Sequence, residues 1–400
     1  MSVSNKMKGF VEQASWIRRM FEDGLELRAQ YGEAHVYDFS LGNPNLEPPQ
    51  SFFDAYQKII MDKTPGIHGY MPNAGYTETR EAVATYLAGE HKLPISAQEI
   101  IMTSGAGSGL NVVLKALLDP GDEVIVLVPY FVEYLFYIDN HGGVSKLVKT
   151  KEDFSIDVEE IENAISEKTK AIIINSPNNP TGRVYPFEVL SLLGDLFAEK
   201  SKRLKTTLYI ISDEPYSKIV YDGTVVPSVF QAYRESIIVT SYSKELSIAG
   251  ERIGYIAINP HATFARELEA ACIFANRALG FVNAPATMQR VITRLQGTTV
   301  DIKRYQDKRD LLCEGLFRAG YEFEKPEGAF YVFPKSPVDD IEFVRLLQEK
   351  RILTVPGSGF GLPGYFRIAY CVSDDVIRQS LDGFSEVARK AKNLKASTES

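Results

Sequence analysis

The sequence predicts an α/β protein: a large, mainly parallel sheet with helices on both faces, followed by a smaller α+β unit. Two observations carry this. Short apolar, β-branched runs at 99–103, 123–128, 171–175, 208–212, 237–241 and 253–258 are separated by turns and helical stretches. They are apolar along their length rather than alternating, as strands covered on both faces are. Beyond about residue 285 the texture changes to long, charged helical stretches with only short strand-like pieces. In sheets of the first kind, ligands bind beyond the carboxyl ends of the strands.

Taken in order, residues 9–31 place Phe10, Val11, Ala14, Ile17, Met20, Phe21, Leu25 and Leu27 at the spacing of one amphipathic helix. Residues 43–49 are a Pro-rich connection. A second helix spans 76–92 and is stopped by Leu93-Pro94. The strand 99–103 leads through Ser104-Gly105-Ala106-Gly107 into a helix over 108–118. Asp119-Pro120-Gly121-Asp122 then turns the chain into the strand 123–128. A helix over 186–202 separates two of the later strands. After 285 a helical stretch runs to Arg318, strand-like pieces follow at 328–333 and 365–369, and a closing helix begins at Asp374. The polar end, from about residue 390, is expected to fray. The resulting division is 1–48 as an N-terminal arm packing with the small domain, 49–285 as the large domain, and 286–400 as the small one.

The chain has 400 residues, 44% hydrophobic and 24% charged, enough for two or three domains and a sizeable core. That composition excludes a disordered chain, a collagen and a disulfide-stapled miniprotein. The formal charge of −8 argues against a protein whose main business is nucleic-acid backbone binding. A local basic pocket for a small anion stays allowed. Cys272, Cys313 and Cys371 are far apart and odd in number, which fits free thiols in a reducing cytosol and no metal site. The most apolar stretch, 123–138, is broken by Pro129 and Glu133 and is too short to span a bilayer. With no apolar signal core at the start, the expected location is cytoplasmic, with no membrane partner.

Four segments at strand ends carry unusual polar groups. Ser104-Gly105-Ala106-Gly107-Ser108-Gly109 could bring backbone amides and a helix N-terminus to an anion, or be a plain tight turn. Ser176-Pro177-Asn178-Asn179-Pro180-Thr181-Gly182 is a rigid loop whose asparagines either bind something or only satisfy turn backbone. Ser212-Asp213-Glu214-Pro215-Tyr216 puts a carboxylate at a buried strand end, costly unless paired, or caps a helix. Ser241-Tyr242-Ser243-Lys244, with Arg252 eight residues on, is either a chemical lysine or a solvated charge.

Together, and in this order, these segments resemble the class I/II aminotransferases of fold type I, the family of aspartate aminotransferase. The resemblance runs from Ser40-Leu41-Gly42-Asn43-Pro44 to Phe366-Arg367-Ile368-Ala369. It implies a seven-stranded sheet and pyridoxal 5′-phosphate (PLP) as cofactor. Lys244 resembles the lysine that bonds the cofactor aldehyde and later acts as base. Asp213 resembles the partner of the pyridine nitrogen. Asn179 and Tyr216 resemble the groups on the ring's phenolic oxygen. Arg252, Ser241 and Ser243, with the amides of Ala106 and Gly107, resemble the phosphate anchors. Phe131 resembles the aromatic stacked on the ring, or is an ordinary core residue. Tyr70 resembles a tyrosine that reaches the phosphate of a neighbouring subunit, which implies a homodimer with sites at the interface.

Arg367 resembles the arginine that grips the substrate α-carboxylate, with Asn179 and the backbone of Gly42 beside it and Phe360 lining the pocket. The implied reaction moves an amino group between an L-amino acid and a 2-oxo acid by a ping-pong path. Aspartate with 2-oxoglutarate is the first expectation. Alanine, aromatic or broad-range use, and carbon–sulfur lysis, stay open. For a distal carboxylate the near-match is Arg277, supplied across a dimer, while Leu279 and Phe281 could instead make an apolar pocket.

Overall fold

Strands apolar on both sides belong inside a layered sheet; five of the six runs are inner strands, and the run 99–103 is an edge strand that is still buried along its length. A computed structural model of the chain describes residues 3–13 and 15–398. Its strands are β1 (Tyr37–Asp38), β2 (Ile100–Thr103), β3 (Glu123–Val128), β4 (Val144–Lys149), β5 (Thr169–Asn175), β6 (Tyr209–Asp213), β7 (Ser236–Ser241), β8 (Gly254–Ile258), β9 (Tyr331–Val332), β10 (Ile352–Leu353), β11 (Val355–Pro356) and β12 (Phe366–Ala369). Seven of them form the central sheet in the order β2-β8-β7-β6-β5-β3-β4. Only β8 runs against its neighbours, β2 and β7.

Period-two alternation divides each strand between two cores. Ile172 and Ile174 of β5 enter the core beneath the helices Thr77–His91 and Phe187–Leu204. Ala171 and Ile173 enter the opposite core, with the helices Ala106–Leu117 and Ala265–Ala278. The parallel register then sets the carboxyl ends side by side: Asn175 pairs with Asp213, and Asp213 with Val239, two residues before Ser241.

A third core gathers Phe39, Tyr305, Leu312, Phe330, Phe343, Phe366 and Phe384 around the small antiparallel sheet β11-β12-β9. The N-terminal segment joins this layer. β1 pairs in parallel with β10, and Arg28 reaches Asp38 at 2.6 Å. No described helix is long and apolar enough to cross a membrane. Cys272, Cys313 and Cys371 are buried and unpaired.

Four readings of the sequence need correction. The 9–31 stretch is two helices, Asn5–Gln13 and Ser15–Tyr31, and Ala14 lies outside the described residues. The strand β4 was not legible: it is an edge strand whose Lys146 and Lys149 break the apolar pattern, as edge strands tend to be built. The stretch from 286 to 318 is interrupted. The helix Ala286–Ile292 ends, Gly297 turns at φ 76°, and Asp301 caps a new helix, Ile302–Arg318, by accepting from the Lys303 amide at 3.1 Å. The closing helix runs Asp374–Thr398, so the polar tail is helical rather than frayed over its described part.

Candidate active site

The strand ends open into a cavity of about 320 Å³. Asn175 and Asp213 end β5 and β6, Ser241 ends β7, and Lys244 follows three residues later. Leu41, Gly42, Tyr331 and Arg367 also line it, from the N-terminal segment and the sheet β11-β12-β9. Of the residues singled out from sequence, Gly42, Ala106, Gly107, Phe131, Asn179, Asp213, Tyr216, Ser241, Ser243, Lys244, Arg252 and Arg367 all line this one space.

Lys244 donates from Nζ to the Gly42 carbonyl at 2.7 Å, and the rings of Phe330 and Tyr216 lie 5.5 and 6.0 Å away. Burial lowers its ammonium from the ordinary range to about 8, and the charges of Arg367 and Arg252 push the same way. An amine in that range is partly neutral near physiological pH, which both bond formation to an aldehyde and proton abstraction require.

Asp213 is buried. Its Oδ2 accepts from the Tyr134 hydroxyl, while its Oδ1 is shut from solvent with no hydrogen-bond partner. Burial raises the carboxyl to about 7, against the pull of the Tyr134 bond. A buried acceptor without a donor costs about 1–3 kcal/mol, so the site is set up for a donor that arrives with a ligand. The neighbouring loop is tied in from behind. Asn175 Nδ2 donates to the Asp213 carbonyl at 2.8 Å, and its Oδ1 accepts from the Asn179 amide at 2.7 Å. Asn178, by contrast, only shapes the loop, accepting from the Thr181 amide and hydroxyl.

Arg367 is 3% exposed. Its guanidinium donates to Asn179 Oδ1 at 3.0 Å and to the Ser40 carbonyl at 2.5 Å, and Nε is buried without a partner. Tyr331 and Phe360 hold it on two sides, each ring centroid 4.7 Å from Cζ. Phe360 is therefore not a pocket wall, as expected from sequence. It is fully buried behind the arginine and fixes the plane of the fork. Gly42 is obligatory, since a Cβ there would lie 1.9 Å from the Tyr331 hydroxyl.

At the other end, the helix Ala106–Leu117 starts with no side-chain cap and aims its first-turn amides at the cavity. Arg252 reaches over this end, bonding the carbonyls of Ala249 at 2.9 Å and Ser104 at 3.4 Å. Gly105 turns at φ 88°, and a Cβ there would meet Arg252 Nη2 at 2.7 Å. Free amides, an arginine and the hydroxyl residues Ser241 and Ser243 make a donor set suited to a phosphate dianion.

Besides Phe360, four singled-out positions fall elsewhere: Tyr70, Arg277, Leu279 and Phe281. Tyr70 is 96% exposed and lies in an outer groove with His68, Phe281 and Asn283. Arg277 is exposed, 5.3 Å from the Phe274 ring, outside the cavity of its own chain. Leu279 packs at the edge of a core. Sequence reasoning missed Tyr134, Glu133, Tyr137, Tyr331 and Ser40. Tyr134 and Tyr137 share a face of the helix Glu133–Asn140 at i,i+3 spacing, a signal that could have been read. Tyr331, which exchanges a 2.8 Å hydrogen bond with Tyr216, comes from a distant strand that no local pattern connects to the site.

Comparison with known proteins agrees with this geometry. A model of the family described as aminotransferase class I and II matches residues 34–384. The aspartate/prephenate aminotransferase of Thermus thermophilus is 34% identical over 381 residues, covering 92% of this chain and 94% of that protein. A crystal structure of an aminotransferase from Eubacterium rectale superposes with a TM-score of 0.94 at 41% identity, covering 98% of this chain and 99% of that one. The Thermus thermophilus aspartate aminotransferase structure with maleate superposes with a TM-score of 0.82 at 31% identity, covering 93% and 96%.

Proposed function

We propose how this chain, which belongs to the aminotransferase class I and II family, carries out amino transfer: with PLP bonded to Lys244 and the substrate carboxylate held by Arg367. Enzymes of this family are PLP-dependent in general and exchange an amino group between an amino acid and a 2-oxo acid. The observation that carries the proposal is the unpartnered Oδ1 of Asp213, buried in the same cavity as Lys244, Arg252 and Arg367. A protonated pyridine nitrogen is the donor that oxygen lacks.

In this reading Arg252, Ser241, Ser243 and the amides of Ala106 and Gly107 hold the phosphate. Phe131 backs the ring, and Asn179 and Tyr216 face its phenolic oxygen. When bound, the cofactor supplies an aldehyde for the amino nitrogen and a ring that takes up the electron pair left on Cα. The rest is done by the chain. Arg367 pairs with the α-carboxylate and, with Asn179, fixes which Cα bond faces the ring. Lys244, its amine near neutrality, would remove the Cα proton and hand it to the carbon on the far side of the amino nitrogen, so that the Cα–N bond is left as an imine to hydrolyse. Asp213 keeps the ring nitrogen protonated by offering it a buried negative charge.

We include a homodimer in the proposal. Tyr70 is almost wholly exposed, and Phe53, Ile60 and Met61 on the helix Gln50–Ile60 and just after it also lie bare. A second copy covering this region would bring Tyr70 to a neighbouring phosphate site. We also take residues 1–48, 49–285 and 286–400 as arm, large domain and small domain. The third core is shared by Phe39, Tyr216, Tyr221 and the C-terminal layer, which supports a reading with the cavity at their seam. The name aspartate belongs to the relatives.

Removing the fork tests the reading. Arg367→Ala is expected to raise the KM for amino acids at least about 30-fold, the scale of losing one partner of a buried charge pair, with a smaller change in kcat. Steady-state kinetics with saturating 2-oxo acid measure it. Unaltered amino-acid saturation rejects Arg367 as the grip.

A further inference from the structure

Every cation of the cavity already has work. Arg367 is committed to the α-carboxylate, Arg252 to the phosphate end and Lys244 to the reacting carbon. Among the described lining residues no further Lys, Arg or His is left for the far end of a substrate side chain. The ionisable carboxylate still unassigned there is Glu133. It opens the helix Glu133–Asn140 and lines the cavity, and its Oε2 is buried without a hydrogen-bond partner. Burial pushes this carboxyl up, while its own backbone amide and the charge of Arg367 pull it down. One turn on, Tyr137 closes the space above Gly107, where a Cβ would lie 3.0 Å from the tyrosine hydroxyl. Glu133 and Tyr137 thus line the cavity from one helix, Tyr137 over Gly107 and Glu133 close enough to Arg367 to feel its charge.

We propose that Glu133 selects the substrate side chain, favouring amino acids that end in a hydrogen-bond donor and disfavouring those that end in a carboxylate. The proposal rests on the transamination reading above and deepens it. A buried carboxylate oxygen without a donor is satisfied by an amide, hydroxyl or ammonium group that reaches it. A second carboxylate brought beside it meets like-charge repulsion in a cavity with little water to screen it.

Isosteric pairs isolate this effect. The cofactor-loaded enzyme is mixed with L-glutamine or L-glutamate, then with L-asparagine or L-aspartate, and kcat/KM is read from single-turnover absorbance. L-Alanine, which has no distal group, is run beside them. The wild type is expected to favour each amide over its acid by about tenfold or more. Glu133→Gln is expected to reduce that ratio by about tenfold, whereas Glu133→Asp keeps its direction. The ratio cancels any loss common to both substrates, and the wild-type comparison needs no variant. A wild type that prefers the acids overturns the proposal and indicates a cation reaching the cavity from a second copy, such as Arg277. A ratio untouched by Glu133→Gln also overturns it. If no amino acid reacts, alanine included, the transamination reading fails and this proposal falls with it.

Discussion

Lys244→Ala is expected to abolish the visible absorbance of lysine-bound pyridoxal and to reduce turnover by at least about 10⁴-fold, the upper range for loss of a positioned acid–base group. In the proposed reaction Lys244 would have two duties in one atom. Its Nζ is the lysine amine that lines the cavity, and it would first bond the aldehyde and, once displaced, take the Cα proton. The environment fits both. Burial and the two arginines bring the amine to about 8, and the Gly42 carbonyl holds it at 2.7 Å in the meantime. A shorter side chain has no amine to offer either step. The fold should survive, because the residue's packing partners are the rings of Phe330 and Tyr216, which are held by other contacts. Absorbance spectra with added PLP, and turnover with an amino acid and a 2-oxo acid, check both halves. An unchanged spectrum refutes the assignment.

The second large effect is expected at Asp213. Asp213→Asn keeps the shape and an acceptor for Tyr134 but removes the charge. Turnover should fall about 10²–10³-fold, the scale of removing one preorganised electrostatic group, while cofactor is still bound. The reasoning follows from burial. Without a ligand the carboxyl rises to about 7, so near neutral pH it already resists ionisation. A protonated ring nitrogen beside the free Oδ1 reverses that preference, since an opposite charge favours the ionised acid. An asparagine cannot hold the nitrogen protonated in this way. Stopped-flow measurement of the first half-reaction separates this from a loss of cofactor. Turnover near that of the wild type contradicts the role.

The strands were legible because β3, β5, β6, β7 and β8 are buried on both faces, so each carries a run of adjacent apolar residues, such as Ala171–Ile174 and Ile237–Val239. β4 was not, because an edge strand can carry Lys146 and Lys149. Neither was the break between Ile292 and Ile302: charged residues on both sides sustain a helical pattern, and only the Gly297 turn and the Asp301 cap interrupt it. At the site, Asn179, Asp213, Ser241 and Lys244 could be read because each follows a strand-like run and because the motifs that hold them, in that order, resemble those of the aminotransferase family. What failed was orientation. Phe360 lies behind Arg367 rather than in the cavity, a fact of packing between β11, β12 and the turn Gly357–Phe360. Glu133 and Tyr134 are adjacent in sequence and do different work. Tyr134 meets Asp213 and Glu133 lines the cavity, and only the helix they start decides which.

In the proposed enzyme one ε-amino group, that of Lys244, carries the cofactor. Reducing PLP-loaded wild-type enzyme with borohydride, digesting it and sequencing the modified peptide by mass spectrometry tests this directly. The account predicts a phosphopyridoxyl group on Lys244 and on no other lysine. A group found on a different lysine, or none on any peptide, contradicts it.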